Sequence, residues 1–289
     1  MDLLMQADVV LAALLGLLIG SFLNVVIHRL PKMMEAQWDT ECAEHQAIQS
    51  GTEYSPTPPA PTLCKPRSGC PHCSHTITWH ENIPVLSWLF LRGKCRACKA
   101  PISARYPAVE VATAALFAWC VHRWGFTYEA WAGCGFSAAL LALALIDWDT
   151  TFLPDDITLP LLWAGLLSTA LGWTGTDLYS ALWGAAAGYV SLWSIYWLFK
   201  LATGKEGMGY GDFKLFAALG AWFGWQALVP IILMASVIGA IVGIALKLNS
   251  KLREGGYIPF GPFLAGAGFT TMLFGHERIL STVFHVLGL

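Results

Sequence analysis

Residues 7–27 of the chain read ADVVLAALLGLLIGSFLNVVI, an apolar run that contains one charged side chain, Asp8. As an α-helix this run is long enough to cross the hydrocarbon core of a bilayer, which needs about 20 apolar residues. A secretory signal peptide would carry a basic segment before its apolar core and small residues at a cleavage site. Asp2 precedes the core instead, so we expect a retained first transmembrane span.

The composition of the whole chain agrees with a membrane protein. Hydrophobic residues make up 56% of the sequence and charged residues 12%, whereas soluble domains carry about 25% charged residues. The 14 tryptophans and 28 glycines also fit, because both residue types are frequent in membrane proteins. A soluble fold could hardly bury this much apolar surface. The formal net charge of −2 gives no indication of a nucleic-acid partner, and we expect none.

Further apolar stretches, each long enough or nearly long enough to cross a bilayer, follow the first one. The sequence therefore predicts an all-α polytopic membrane protein with about eight transmembrane helices, followed by a short surface helix over 277–289. The predicted spans lie near residues 8–28, 108–124, 129–146, 157–173, 179–200, 212–226, 228–247 and 259–276.

The distribution of lysine and arginine predicts the orientation, because short loops rich in these residues lie preferentially in the cytoplasm. Eight alternating spans put three basic clusters on one side of the membrane, opposite Arg123. We therefore expect the clusters to be cytoplasmic and both termini to be on the outer side. The clusters are Lys32, Lys65, Arg67, Arg92, Lys94, Arg96 and Lys99; Lys200, Lys205 and Lys214; and Lys247, Lys251 and Arg253.

The predicted domains are residues 1–30 as the first transmembrane helix, 31–106 as a cytoplasmic loop and 107–289 as the transmembrane catalytic core. Within the loop, residues 33–69 are polar and include the stretch TPPAP at 57–61, which predicts loose order. Residues 70–98 contain paired cysteines and predict a small folded unit.

Four of the eight cysteines form two Cys-x-x-Cys pairs, Cys70 with Cys73 and Cys95 with Cys98. Such pairs suit tetrahedral zinc, because each tight turn presents two thiolates to one metal ion. Disulfides are the competing interpretation, but the basic flanks place the loop in the reducing cytoplasm. Four thiolates leave no open coordination position, so the metal would be structural. The sequence thus predicts a small cytoplasmic zinc-knuckle domain over 70–98.

Two aspartates at the ends of predicted spans are candidates for catalysis, because carboxylates at membrane depth are costly and by default indicate function. Asp147 ends the third span and Asp212 begins the sixth, and the predicted topology places both at the cytoplasmic edge. Asp149 is the alternative to Asp147, since two residues' spacing turns a helix by about 200° and both cannot face one site. Asp212 could instead be only an N-cap, but the glycines at 207, 209 and 211 indicate close backbone approach.

Two adjacent carboxylates suggest proteolysis without a catalytic metal or protein nucleophile. Close carboxylates cannot easily both ionise, so they share a proton at working pH. The ionised member can deprotonate water while the protonated member polarises the scissile carbonyl. Asp155 and Asp156 follow Pro154 and precede an apolar run, so we interpret them as helix-capping residues.

Six ordered blocks carry a family resemblance: GSFLNVVIHRLP at 20–31, PRSGC at 66–70, RYPAVE at 105–110, the stretch 147–160, GYGD at 209–212 and IPFGP at 258–262. They resemble the bacterial type IV prepilin peptidases, bifunctional leader peptidase/N-methyltransferases of the GxGD class of intramembrane aspartyl proteases. The first catalytic aspartate of that family lies seven positions before the proline of a Leu-Pro-Asp element, which is Asp147 here. The GxGD motif makes Asp212 the second. The polar insertion 33–69 departs from the family pattern.

The resemblance implies substrates, a cofactor and a location. The substrates would be type IV prepilins and type II secretion pseudopilins, whose basic leader is removed just after a glycine at the cytoplasmic face of the bacterial inner membrane. The new N-terminal residue would then be methylated from S-adenosylmethionine. No G-x-G-x-x-G nucleotide loop independently indicates that cofactor. Glu110 is a candidate residue for methylation, and helix capping is its alternative role.

Two other functional classes are compatible with the aspartates or the cysteines. A proton-coupled transporter could use Asp147 and Asp212, but it would be expected to carry more charged residues in mid-span. A scaffold that only binds pilin-like helices through the zinc knuckle would tolerate loss of either aspartate.

Overall fold

The computed structural model of the chain describes residues 3–51, 61–249 and 258–287. Within these residues the regular structure is helical, with two isolated β-bridges, Gly69 with Thr76 and Lys94 with Pro101. The α-helices are α1 (Leu3–Ser50), α2 (Leu86–Phe90), α3 (Arg105–Trp124), α4 (Tyr128–Thr150), α5 (Asp155–Ala170), α6 (Leu178–Thr203), α7 (Tyr210–Phe223), α8 (Leu228–Leu248), α9 (Gly261–Phe274) and α10 (His276–Leu287). The predicted all-α class is confirmed.

Among the residues that the structure describes, three helices are by length and composition apolar enough to cross a membrane, over Met5–Ser50, Tyr128–Thr150 and Trp225–Leu248. A shorter apolar helix covers Gly261–Phe274. A helix is present at each predicted span, but a count of eight transmembrane helices stays a prediction. The helix expected near the C-terminus is α10.

The first helix is longer than the sequence analysis predicted. α1 continues through Pro31 to Ser50, so the expected loose order is wrong for residues 33–50. This stretch is rich in residues that favour helices, such as Glu, Gln, Ala and Met. Side chains four residues apart also bond each other, as Gln37 does with Glu41 at 2.8 Å. Two parts of the predictions lie outside the described residues. They are residues 57–60 of the predicted loop, and Lys251 and Arg253 of the third basic cluster.

The chain folds as two units, Met1–Phe126 and Thr127–Leu289. In the first unit α1 packs closely on α3, because two glycines of α1, one turn apart, face α3. A Cβ atom on Gly16 would lie 2.6 Å from Ala114 Cα, and one on Gly20 would lie 2.7 Å from Glu110 Cα. Such small-residue stripes allow membrane helices to approach closely. Helix α3 therefore belongs to the first unit.

The second unit is built around α7, whose residues from Asp212 to Trp222 are all buried except Lys214. Helix α6 meets α7 through glycine on both sides, since Gly184 faces Gly220 and Gly188 faces the Phe216 carbonyl. Helix α5 is held to α7 by the Trp222 indole, which donates to the Leu161 carbonyl at 2.9 Å. These contacts fix the position of the first turn of α7, which carries Asp212.

Candidate active site and zinc centre

Asp147 lies in the last turn of α4 and is 4% exposed. The helix is capped at its C-terminal end by Thr151, the residue after its last one. Thr151 has left-handed backbone angles and donates its N–H to the Asp147 carbonyl at 2.8 Å. The Asp147 carboxylate accepts the backbone N–H of Gly261, the first residue of α9, at 2.9 Å. Such N–H groups at a helix start have no partner within the helix and favour negative charge. The environment of Asp147 therefore stabilises its ionised form.

Asp212 lies in the first turn of α7, and the N-cap of that helix is Gly209 rather than Asp212. The carboxyl group is 8% exposed. Among the described residues, its Oδ1 is buried and has no hydrogen-bond partner. Burying an ionised carboxylate without such partners is costly, so this environment favours the protonated form. Asp212 and Asp147 are neighbours, because the Leu153 side chain packs both against Gly211, which precedes Asp212, and against Gly261, which bonds Asp147.

The neighbouring acidic residues have different environments. Asp149 is exposed, unlike Asp147. Pro154 is the N-cap of α5, and Asp155 and Asp156 follow it in the first turn. The helix has no side-chain capping bond, so the interpretation of these two aspartates as capping residues is wrong. The Asp155 carboxylate instead accepts two bonds from Lys214 Nζ, at 2.7 Å and 2.6 Å.

The role of Gly261 was missed from the sequence. A Cβ atom there would lie 2.5 Å from Asp147 Oδ2. The Asp147 carboxylate can therefore approach the α9 backbone closely only because residue 261 is glycine, which has no Cβ. The IPFGP block at 258–262 contained this glycine, but only the fold shows what it contacts. The glycines before Asp212 were interpreted correctly as a sign of close approach, because a Cβ on Gly211 would lie 2.7 Å from Leu153 Cβ.

The four predicted zinc ligands come together in the first unit. Cys70, Cys73, Cys95 and Cys98 have sulfur atoms within 4.8 Å of one another. The Sγ atoms of Cys70 and Cys98 are 3.7 Å apart, and those of Cys73 and Cys95 are 4.0 Å apart. Zn–S bonds of about 2.3 Å in a tetrahedron give sulfur separations of about 3.8 Å. The cluster could therefore hold a zinc ion with little rearrangement.

Each cysteine pair lies in the same kind of turn. Ser74 donates its N–H to the Cys70 carbonyl at 2.9 Å, and Lys99 does the same to Cys95 at 3.0 Å. Ser74 and Lys99 both have positive φ, at 56° and 62°. The equal geometry means that each turn presents its two sulfur atoms in the same way, as expected for a four-thiolate site.

Glu81 contacts residues beside both cysteine pairs. Its carboxylate accepts the Thr78 N–H at 2.9 Å and the Thr78 hydroxyl at 2.7 Å. His75, next to the first pair, lies 3.3 Å away, and Arg96 of the second pair lies 3.8 Å away. The Thr78 N–H is the main cause that lowers the pKa of Glu81 to about 2.

Glu110 has a structural environment rather than an open one. Glu110 is 8% exposed, and its carboxylate accepts the Val85 N–H at 2.7 Å. Val85 has φ 60° and ψ −49°, which is rare for a β-branched residue, and the Leu86 N–H bonds the Pro84 carbonyl across it. Glu110 therefore stabilises a strained turn.

Two family models match the chain. The model described as Bacterial Peptidase A24 N-terminal domain matches residues 14–124, and that of the Type IV leader peptidase family matches residues 134–244. The boundary between them falls near the division between the two folded units. No solved structure matches the chain.

Curated relatives are similar over nearly the whole length. A prepilin leader peptidase/N-methyltransferase of Stutzerimonas stutzeri is 51% identical over 271 residues, or 94% of this chain and 92% of the relative. The protein of that name from Pseudomonas aeruginosa gives the same identity and coverage. The one from Aeromonas hydrophila is 52% identical over 265 residues, or 92% of this chain and 90% of the relative. This protein therefore belongs to the type IV leader peptidase family, as its sequence blocks indicated.

Proposed function

We propose that the protein cleaves the basic leader from type IV prepilins and type II secretion pseudopilins, with Asp147 and Asp212 as its catalytic pair. The protein is a membrane-embedded leader peptidase/N-methyltransferase by its family and relatives. One observation carries the choice of residues. The two neighbouring carboxyl groups have opposite environments, since Asp147 accepts a helix N-terminal N–H and Asp212 has a buried oxygen without a partner among the described residues.

The opposite environments assign a role to each aspartate. Asp147 is ionised and takes a proton from water, whose oxygen attacks the scissile carbonyl carbon. Asp212 is protonated and transfers its proton to the carbonyl oxygen, which gives a neutral tetrahedral intermediate. Collapse of the intermediate breaks the C–N bond, and the leaving amine takes the proton held by Asp147. Asp212 recovers its proton from the hydroxyl group of the intermediate as the carbonyl forms again. The products are the leader with a free carboxyl group and the mature protein with a new N-terminal amine.

The cysteine cluster supports a proposal for zinc as a structural ion. Cys70, Cys73, Cys95 and Cys98 would hold it with no open position, so it would stabilise the turns and take no part in cleavage. Metal analysis of the purified protein is expected to give one zinc per chain. A content near zero would contradict the proposal.

S-adenosylmethionine is the proposed methyl donor, on the strength of the N-methyltransferase activity in the relatives' name. Glu110 does not fit a direct role toward it, because its buried carboxylate already accepts the Val85 N–H.

Cleavage of a purified prepilin in detergent tests the catalytic pair. Wild-type protein and the Asp149→Asn variant should cleave it, whereas Asp147→Asn and Asp212→Asn should not. Loss with Asp149→Asn and retention with Asp147→Asn would move the first catalytic residue by two positions. Normal cleavage by all three variants would refute the aspartyl mechanism. The proton-coupled transporter is not favoured, because the family is one of peptidases.

The orientation in the bacterial inner membrane is also a proposal, with the zinc cluster and both aspartates on the cytoplasmic side. Alkaline phosphatase is active only when it is exported from the cytoplasm. Its activity, when it is fused to truncated forms of this protein, therefore reports on which side of the membrane each fusion point lies. Fusions that end at Gly125 or Gly175 should be active, and a fusion that ends at Lys205 should be inactive. The reverse pattern would invert the topology.

A further inference from the structure

The ion pair between Lys214 and Asp155 joins two segments next to the catalytic aspartates. Lys214 follows Asp212 by two residues in α7, which turns its side chain about 200° away from that of Asp212. Its ammonium group reaches α5 and contacts both carboxylate oxygens of Asp155, at 2.7 Å and 2.6 Å. Asp155 is the first residue of α5. The pair thus fixes the start of α5 to the helix that carries Asp212.

Leu153 lies in the short linker before Asp155 and is 5% exposed. Its side chain packs against two glycine backbones. A Cβ on Gly211 would lie 2.7 Å from Leu153 Cβ, and a Cβ on Gly261 would lie 3.2 Å from Leu153 Cδ1. Gly211 immediately precedes Asp212, and Gly261 donates its N–H to Asp147. Leu153 is therefore a spacer between the backbone segments that position the two carboxyl groups.

The linker that carries Leu153 is fixed at both ends. Its first end follows Thr151, whose N–H bonds the Asp147 carbonyl at 2.8 Å. Its second end is Pro154, which has no N–H to donate and leads directly into Asp155. The Lys214 ion pair is thus the polar contact that fastens the start of α5 to α7. The hydrogen bond from the Trp222 indole to the Leu161 carbonyl joins the same two helices farther along α5.

Resting on the proposed function, we infer that Lys214 and Asp155 are positioning residues that set the spacing of the catalytic aspartates through Leu153. The pair is partly exposed, with Lys214 at 26% and Asp155 at 48%, so it contributes little to the stability of the fold. A small displacement in an active site nevertheless costs much activity. A shift of about 1 Å can lower the rate about 100-fold. The pair is therefore more important for turnover than for folding.

A double-mutant cycle on the full-length protein in detergent tests this inference. Lys214→Met and Asp155→Asn should each lower kcat for prepilin cleavage about 10- to 100-fold, with KM changed less than about threefold. The double variant should be no slower than the slower single variant, because both substitutions break one contact. Lys214→Arg keeps the charge and should stay close to wild type. Lys205→Met removes an exposed lysine without this contact and is the matched control.

Thermal unfolding and zinc content of every variant separate positioning from folding. They should stay close to the wild-type values. A normal kcat in Lys214→Met, additive losses in the double variant, or losses in proportion to the unfolded fraction would each overturn the inference. A different result would refute the proposed function itself: no cleavage by the wild type, or full cleavage by Asp147→Asn and Asp212→Asn.

Discussion

Glu110 in the first unit and Asp212 in the second are equally buried, each 8% exposed, yet their surroundings differ. Glu110 accepts a hydrogen bond from the Val85 N–H at 2.7 Å. Asp212 has a buried oxygen that no other described residue bonds. Nearly all buried polar atoms in proteins have partners, so the exception needs a functional reason. Burial alone therefore does not distinguish the two acids, whereas the unsatisfied hydrogen-bonding capacity of Asp212 does.

The comparison also explains how each acid affects stability. Glu110 satisfies a backbone N–H in a strained turn, so it stabilises the fold. Leaving a buried polar atom unpaired costs about 1–3 kcal/mol, so Asp212 reduces the free energy of unfolding. Enzymes accept such costs at their active sites, where the unpaired group becomes paired in the transition state.

The largest expected effect comes from removing the acid at each position while keeping its shape. Asp212→Asn should lower prepilin cleavage by about 1000-fold or more, because an amide cannot supply the proton of a general acid. Glu110→Gln should cleave at the wild-type rate, because its amide oxygen still accepts the Val85 N–H. Single-turnover assays with purified protein measure both. Equal losses in the two variants would remove the distinction between the acids.

A second prediction concerns the N–H that stabilises Asp147. Gly261→Ala places a methyl group 2.5 Å from Asp147 Oδ2, so the carboxylate must move. We expect kcat to fall about 100-fold, as for a displacement of about 1 Å. Gly266→Ala lies in the same helix, α9, and its added methyl group has no described atom within 4 Å. This control should keep wild-type activity, and an equal loss in both variants would show a general effect on the helix.

A third prediction breaks the support that Glu110 gives to the strained turn. Glu110→Ala leaves the Val85 N–H without its acceptor, which should lower the free energy of unfolding by about 1–3 kcal/mol. Faster hydrogen exchange at Val85 and Leu86 would report the loss directly, and Glu110→Gln should show much less. Unchanged exchange in Glu110→Ala would mean that the bond at 2.7 Å does not hold the turn.

The smallest expected effect concerns Glu81, an acid whose bonds favour the ionised form. Its pKa is lowered to about 2 by the Thr78 N–H, from an ordinary value of 4.5. The stabilisation from its charge is therefore complete above about pH 4.5 and is lost as the pH falls toward about 2. The unfolding midpoint of wild type should exceed that of Glu81→Gln at pH 7, and the difference should shrink over this range. Protonation of the cysteine cluster and of the other acids affects both proteins, so the difference isolates the Glu81 carboxylate.

The sequence was sufficient for features that depend on local pattern. Apolar runs predicted the helices, and paired cysteines predicted the cluster of four thiols that could hold a metal ion. The glycines near Asp212 predicted a close contact, found at Gly211. The polar half of α1 was missed, because hydrophobic periodicity does not detect a helix held mainly by intrinsic propensity.

The features that distinguish the acids could not be predicted from the sequence. Gly261 and Asp147 are 114 residues apart, and Val85 and Glu110 are 25 apart. Whether a carboxylate gains a partner depends on such tertiary contacts, which leave no local signature. The same holds for Lys214 and Asp155, separated by 59 residues. Asp155 was interpreted from its neighbours alone, and its actual partner lies on another helix.

The length of α1 has a practical consequence for imaging. Beyond Pro31 the helix continues to Ser50, and at 1.5 Å per residue this part extends about 30 Å past the apolar segment. Small membrane proteins usually offer no landmark for particle alignment in a detergent micelle or lipid disc. A rigid marker domain fused in register with the polar part of α1 would give electron cryo-microscopy such a landmark, without alteration of the four clustered cysteines or the two aspartates.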